Sequence, residues 1–204
     1  MVLTERQNDA ISELINIAFA RTGAALSELT GQRVLLSPPT ASIHRTADLP
    51  MALAEFIPGE IASIHQVFAG PVSGDALLLL NYAGAVELTT ILVESQVKPA
   101  YLDESAREVL TEVGNILLNA CLGMFGNLLR VHVSFSVPQL HLESLDDLVG
   151  ALITNGNDRR YALVVSTAFR VRDSAVSGFL VMALSVESLD RLLHEVDQWE
   201  RRQS

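Results

Sequence analysis

Two stretches decide the fold: Asp9-Ala10-Ile11-Ser12-Glu13-Leu14-Ile15-Asn16 and Glu108-Val109-Leu110-Thr111-Glu112-Val113-Gly114-Asn115. On a helix turning about 100° per residue, Asp9, Glu13 and Asn16 fall within about 60° of one another. Ile11, Leu14, Ile15 and Ala18 take the opposite side. Glu108, Glu112 and Asn115 repeat the spacing, backed by Leu110, Val113 and Leu117. Each polar stripe continues one turn further, to Ala20 in the first stretch and Asn119 in the second. A polar stripe opposite an apolar one is what any solvated surface helix carries. Two features point past that reading. Asparagine is a mediocre helix former, yet it stands mid-helix at the same place in both stretches. The distance from it to a later proline is also the same, Asn16 to Pro39 and Asn115 to Pro138.

Working outward, Thr4 and Gln7 form a capping box for the first helix, and Gly31 supplies a C-terminal stop. Residues 34–36 are apolar and short, and Pro38-Pro39 ends them. Segments at 41–45, 51–57, 61–68 and 76–80 have strand-like patterning between proline and glycine punctuation. A helix is expected over 82–94, before the Val97-Lys98-Pro99 interruption. A second long helix spans 103–129, and Val131, Val133 and Phe135 alternate as a strand does. Residues 161–170 and 176–184 read as antiparallel strands around Arg172-Asp173-Ser174, and a polar helix closes the chain over 186–201. A shift of 99 places takes Glu13 to Glu112, Asn16 to Asn115 and Pro39 to Pro138; a shift of 104 takes Gly74 to Gly178 and Leu88 to Leu192. This is a duplicated half-domain rather than a solenoid array. The expected architecture is one α+β domain, 1–204, of pseudo-twofold half-repeats at about 1–98 and 99–204. Gly114, Gly123 and Gly126 weaken the second long helix and are expected to permit close helix–helix approach.

The chain has 204 residues, of which 49% are hydrophobic and 19% charged, which excludes disorder as the main state. Its longest charge-free stretch, between Glu112 and Arg130, is broken by asparagine and glycine and is too short to span a bilayer. The net charge is −10, which repels phosphate backbones and anionic lipid. Nucleic acid and membrane are therefore poor partners, and a basic patch on a folded protein suits the chain better. Cys121 is the one cysteine, so no intramolecular disulfide forms. No export signal is visible and the cytoplasm is the expected compartment. Lys98 is the only lysine, which removes Walker-type phosphate loops from consideration.

The pattern Asp9-x3-Glu13-x2-Asn16-x22-Pro39 resembles the signature of the CheC/FliY/CheX phosphatases of bacterial and archaeal chemotaxis. The second copy, Glu108-x3-Glu112-x2-Asn115-x22-Pro138, departs from it by carrying Glu at its first position, where the family has Asp or Ser. Two copies in one chain of this length look most like the CheC-type members. The resemblance implies two long adjacent helices on one face of an antiparallel sheet, and hydrolysis of the phospho-aspartate on a CheY-like response regulator. It implies that Asn16 and Asn115 orient the attacking water. Glu13 and Glu112 would dock a lysine of the partner, flanked by Asp9 and Glu108. Glu108 either adds repulsion beside Glu112 or extends the acidic docking surface. The chain is expected to need no cofactor or metal of its own, Mg2+ belonging to the response regulator. The family often has a glycine-rich run after the asparagine. Here Ile17-Ala18-Phe19-Ala20 and Ile116-Leu117-Leu118-Asn119 stand instead, with Phe19 and Leu118 expected in the core.

The chemistry is coherent with those residue types. Phosphoryl transfer asks an enzyme mainly for positioning and charge stabilisation. A carboxamide offers donor and acceptor without ionising. His44, His65, His132, His141 and His194 show no compact ligand spacing. Ser27, Ser37 and Ser136 lack a nucleophile motif. Trp199 reads as a packing anchor or an exposed tail residue, and Cys121 as a small buried hydrophobe. The alternative class is a non-catalytic adaptor for a flagellar switch, a receptor assembly or a CheD-like protein. A monomer is expected, since one chain already carries two sites.

Overall fold

Thr4 opens the first helix: its Oγ1 accepts from the Gln7 amide at 3.2 Å, and Gln7 Oε1 accepts from the Thr4 amide at 3.1 Å. In the computed structural model, which describes residues 3–92, 101–129, 132–154, 160–171 and 174–203, this helix is α1, Glu5–Thr30. It ends at Gly31, whose φ of 68° is left-handed and suits glycine. The chain continues through β1 (Val34–Leu36), β2 (Thr40–Arg45), α2 (Leu49–Leu53), β3 (Glu60–Ala69), β4 (Gly74–Asn81) and α3 (Tyr82–Leu92). The second half follows with α4 (Glu104–Leu129), β5 (Ser134–Phe135), β6 (Gln139–Ser144), α5 (Leu145–Thr154), β7 (Tyr161–Val171), β8 (Ser174–Leu184) and α6 (Val186–Gln203). Asp103 caps α4, its Oδ1 accepting from the Ala106 amide at 2.8 Å.

All strands join one antiparallel sheet. From one edge to the other, β1 and β2 lie on β7, followed by β8, β4 and β3, with β5 and β6 on the far side of β3. Exchanging each strand for the one four later in the chain reproduces the same order from the opposite end. The halves meet where β4 pairs with β8, and each half's opening strands complete the edge of the other half.

Strand alternation divides the core into two. Ala62, Ile64, Leu78, Leu80, Val165, Leu180 and Met182 face α1, α3, α4 and α6. Their neighbours Ile61, Leu77, Leu79, Val164, Val181 and Ala183 face α2 and α5. Strand β4 is covered on both sides, which is why Leu77, Leu78, Leu79 and Leu80 form a continuous apolar run rather than an alternating one. Burying each is worth about 1.5–3 kcal/mol. The long helices α1 and α4 lie against each other on one face of this sheet. Among the described residues no helix is long and apolar enough to cross a membrane.

Four expectations change. Residues 51–57 are not a strand but the end of α2 and the turn after it. Pro50 stands in the first turn of that helix, where its missing N–H costs nothing, and Leu49, Leu53 and Ile57 bury at four-residue intervals while Met51 stays 81% exposed. The two long helices lie on one face of the sheet as expected, but the opposite face is covered as well, by α2 and by α5, a helix that was not anticipated. Its signals are Ser144, which accepts from the Asp147 amide at 3.1 Å, and the buried series Leu145, Leu148, Val149 and Leu152. Gly114 serves helix-to-sheet rather than helix–helix approach, since a Cβ there would come 2.5 Å from Ile64 Cγ2. Gly74 and Gly178 are not counterparts. Gly74 faces Phe68 across β3 and β4, while the residue facing Phe169 across β7 and β8 is Val176. Residues 93–94, Val97-Lys98-Pro99, Val131 and Arg172-Asp173 lie outside the described residues, as does any structural role for them.

The packing yields two predictions. Gly114→Ala should lose about 1–2 kcal/mol of stability in denaturant unfolding, because overpacking against Ile64 outweighs a helix-propensity gain of about 1 kcal/mol. Gly123→Ala, whose Cβ would meet nothing within 4 Å among the described residues, should instead gain up to about 1 kcal/mol; equal effects at both positions would contradict this packing. Burial pushes the Cys121 thiol from 9.0 up to about 12. The native thiol thus keeps its proton where the unfolded one loses it, so this group's contribution to stability falls as pH rises above 9.0. At pH 8 an alkylating reagent should modify Cys121 only after denaturation, and fast labelling of the native protein would contradict its burial.

Candidate functional site

On α1 the packing of Ile11, Leu14, Ile15, Ala18 and Phe19 into the core leaves Asp9, Glu13, Asn16 and Ala20 exposed. On α4, Leu110, Val113, Leu117 and Leu118 are buried, Glu108 and Glu112 are exposed, and Asn115 and Asn119 are half-buried. Each sequence-derived trio therefore shares one outward helix face. Because α1 packs on α4, both faces belong to the same helical layer of the molecule. Pro39 is buried and Pro138 half-buried.

Around Asn16 the surface is concave. A groove of about 410 Å³ runs between α1 and β1, lined by Asn16, Phe19, Ala20, Gly23, Arg33 and Leu35 among others. It exists because Gly23 lets the helix approach the Val34 carbonyl, which would lie 3.1 Å from a Cβ. Ser27 fastens the same junction, donating to the Gly23 carbonyl at 2.6 Å and accepting from the Val34 amide at 2.9 Å. The Asn16 side chain makes no hydrogen bond among the described residues, so its donor and acceptor face solvent.

Around Asn115 the surroundings are polar and ordered. Asn115 Nδ2 donates to Glu112 Oε2 at 3.4 Å, and its Oδ1 accepts from Asn119 Nδ2 at 2.6 Å. Asn119 Oδ1 in turn accepts from Gln66 Nε2 at 3.2 Å, and the same nitrogen donates to the Ser136 carbonyl at 2.8 Å. Gln66, from β3, is 2% exposed. Sequence reasoning placed Asn119 on the polar stripe but missed Gln66 and Ser136. The one available signal was the contrast between Asn119 and its counterpart Ala20. Ser37 and Ser136 are backbone-pairing residues, each amide donating to the neighbouring strand at 2.9 Å, to Ala168 and Val67 respectively.

His65 and His141 lie away from these faces. His65 Nε2 is 2.8 Å from Asp75 Oδ1, and its ring centre is 6.5 Å from that of His141. Both line a cavity of about 350 Å³ under α5, together with Asp75, Gln139 and Glu143, on the side of the sheet opposite α1 and α4. Among the described residues no group of three or more His, Cys, Asp or Glu is placed to hold a metal ion. Trp199 is half-buried against the main core, the packing-anchor reading of that residue.

Comparison with known proteins follows the same line. No protein-family model matches the chain. It is 24% identical over 177 residues to the CheY-P phosphatase CheC of Bacillus subtilis, covering 81% of both chains. It is 23% identical over 143 residues to the flagellar motor switch phosphatase FliY of the same organism, spanning 69% of this chain but 36% of FliY. The fold matches that of Thermotoga maritima FliY with a TM-score of 0.74 at 19% identity over the whole of both chains. It also matches the FliM middle domain of H. pylori with a TM-score of 0.67 at 8% identity, over 95% of this chain and 99% of that one. Two in-register copies of the Glu-x2-Asn motif on adjacent helices, the sheet they pack on and these relatives agree: the chain is similar to the CheC/FliY/CheX proteins in motif, sequence and fold.

Proposed function

We propose that this protein hydrolyses the phospho-aspartate of a CheY-like response regulator, at two sites centred on Asn16 and Asn115. The observation that carries the reading is the outward placement of a carboxamide beside a carboxylate, one helical turn apart, on both α1 and α4. A helix face of that kind is shaped to lie against another protein, with the carboxylate as docking point and the carboxamide over the reacting group. Glu13 and Glu112 receive the partner's lysine, and Asp9 and Glu108 extend the acidic surface that attracts it. The steering strengthens at low salt.

The asparagine presents one hydrogen-bond donor or acceptor to a water and holds it in line with the bond from phosphorus to the aspartate oxygen. Attack forms the new P–O bond, the aspartate leaves as a carboxylate, and the proton of the water passes to phosphate or solvent. Charge neutralisation on the phosphoryl group comes from the partner, which carries its own Mg2+. The contribution of this chain is then orientation, the term that enzymes of this reaction type depend on most.

The likeness to FliM favours a second reading, in which the same layer is an adaptor surface. FliM of H. pylori is found in a complex with FliG, and an assembly role on this fold supports that reading. On that reading a flagellar switch, receptor assembly or CheD-like partner binds without turnover.

The two readings separate in one assay. Phosphate loss from a phosphorylated CheY-type protein should be accelerated by the wild type, and Asn16→Ala/Asn115→Ala should lower that acceleration about 10²-fold while the protein remains folded by circular dichroism. Glu13→Gln/Glu112→Gln should raise KM by up to about fivefold, the loss of one exposed docking charge pair at each site, with a smaller effect on kcat. Binding of the regulator with no acceleration, or acceleration indifferent to both asparagines, would reject the phosphatase reading.

A further inference from the structure

Resting on that phosphatase reading, we infer that Asn119 and Gln66 are positioning residues for Asn115, and that the α4 site is the better preorganised and faster of the two. The polarity of the side-chain chain is fixed by a backbone group that cannot flip. Ser136 is clamped to β3: its amide donates to the Val67 carbonyl at 2.9 Å and its Oγ accepts from the Val67 amide at 2.9 Å. Its own carbonyl can only accept, so Gln66 must present Nε2 to it. The second hydrogen of that nitrogen meets Asn119, which must therefore present Oδ1, leaving Nδ2 for Asn115. Asn115 must then present Oδ1 to Asn119 and turn Nδ2 towards Glu112, which as a carboxylate only accepts. Reversing any one amide would set oxygen against oxygen or N–H against N–H. The reacting carboxamide is thus held in one of its two orientations from the sheet interior outward, with each bond polarising the next.

Two further observations support a role at the site. Gln66 Oε1 is buried and makes no hydrogen bond among the described residues, a destabilising arrangement that persists with both Nε2 hydrogens committed towards the site. The α1 site keeps the anchor but drops the chain. Thr167 Oγ1 on β7 donates to the Ser37 carbonyl at 3.2 Å, as Gln66 does to Ser136. Beyond Thr167, Ala20 stands where Asn119 would continue, and Asn16 is left to rotate. A fixed carboxamide loses less freedom when it captures water than a rotating one.

The test uses the full-length protein and two readouts. In side-chain amide 15N–1H spectra of the free protein, Asn115 should show slow, ordered signals. Asn119→Ala or the isosteric Gln66→Met should lower its side-chain order parameter towards that of Asn16. In the Asn16→Ala background, either substitution should lower kcat for phosphate release about tenfold and leave KM within about twofold. Added to Asn115→Ala, Asn119→Ala should have no further effect, because it acts through Asn115. Asn115 signals unchanged in both variants would overturn the positioning claim, whether or not the protein proves to be a phosphatase. If the wild type is active and Asn16→Ala abolishes activity, the claim that the α4 site is faster is overturned. If wild type shows no phosphatase activity, the proposed function fails while the spectra still decide the positioning claim.

Discussion

The seating of the apolar stripes of α1 and α4 on one face of the sheet is the constraint on which the rest of the molecule depends. Once Ile11, Leu14, Ile15 and Ala18 are buried, and Leu110, Val113 and Leu117 with them, a turn of 100° per residue leaves Glu13, Asn16, Glu112 and Asn115 nowhere to point but outward. The depth of that seating is set at single residues. Gly114 lets α4 close onto Ile64, and Gly23 lets α1 close onto β1. Moving either helix outward would displace the candidate site on it, so the packing energy of the core also determines where these side chains are presented.

Duplication gives the molecule two such helices and cross-pairing locks them together. Strands β1 and β2, which follow α1, pair with β7 of the other half, while β5 and β6, which follow α4, pair with β3. Each half therefore supports the helix of its partner. The copies have nevertheless diverged where polar side chains enter the sheet. Gln66 reaches from β3 to Asn119 and onward to Asn115, whereas Thr167 reaches only the Ser37 carbonyl. One fold thus holds two candidate sites, one whose carboxamide is tied to the sheet and one whose carboxamide faces an open groove. The difference arises from a few side chains in an otherwise repeated framework.

Much of this was legible in the sequence, for reasons that are local. The capping box at Thr4 and Gln7, the stop at Gly31 and the opposed stripes on α1 and α4 depend on neighbours within one or two turns, and the structure reproduces them. Strands β3, β4, β7 and β8 were legible because alternation and continuous apolar runs are local too. Residues 51–57 misled because Met51, Leu53 and Ile57 mimic strand alternation, while Pro50 and the Leu49, Leu53, Ile57 interval mark a short helix. What sequence could not supply was long-range. Gln66 and Asn119 lie 53 residues apart, and Gln66 and Ser136 lie 70 apart, and no periodicity links them. The approach of His65 to His141 across β3 and β6 is of the same kind.

On the proposed mechanism an asparagine-held water attacks phosphorus. Hydrolysis of a phosphorylated CheY-type regulator in 18O-labelled water, with and without this protein, tests it most directly. Release should be faster in its presence, with one labelled oxygen in the phosphate and none in the aspartate carboxylate. Label in the carboxylate, or phosphate labelled no faster than in the protein's absence, would contradict it.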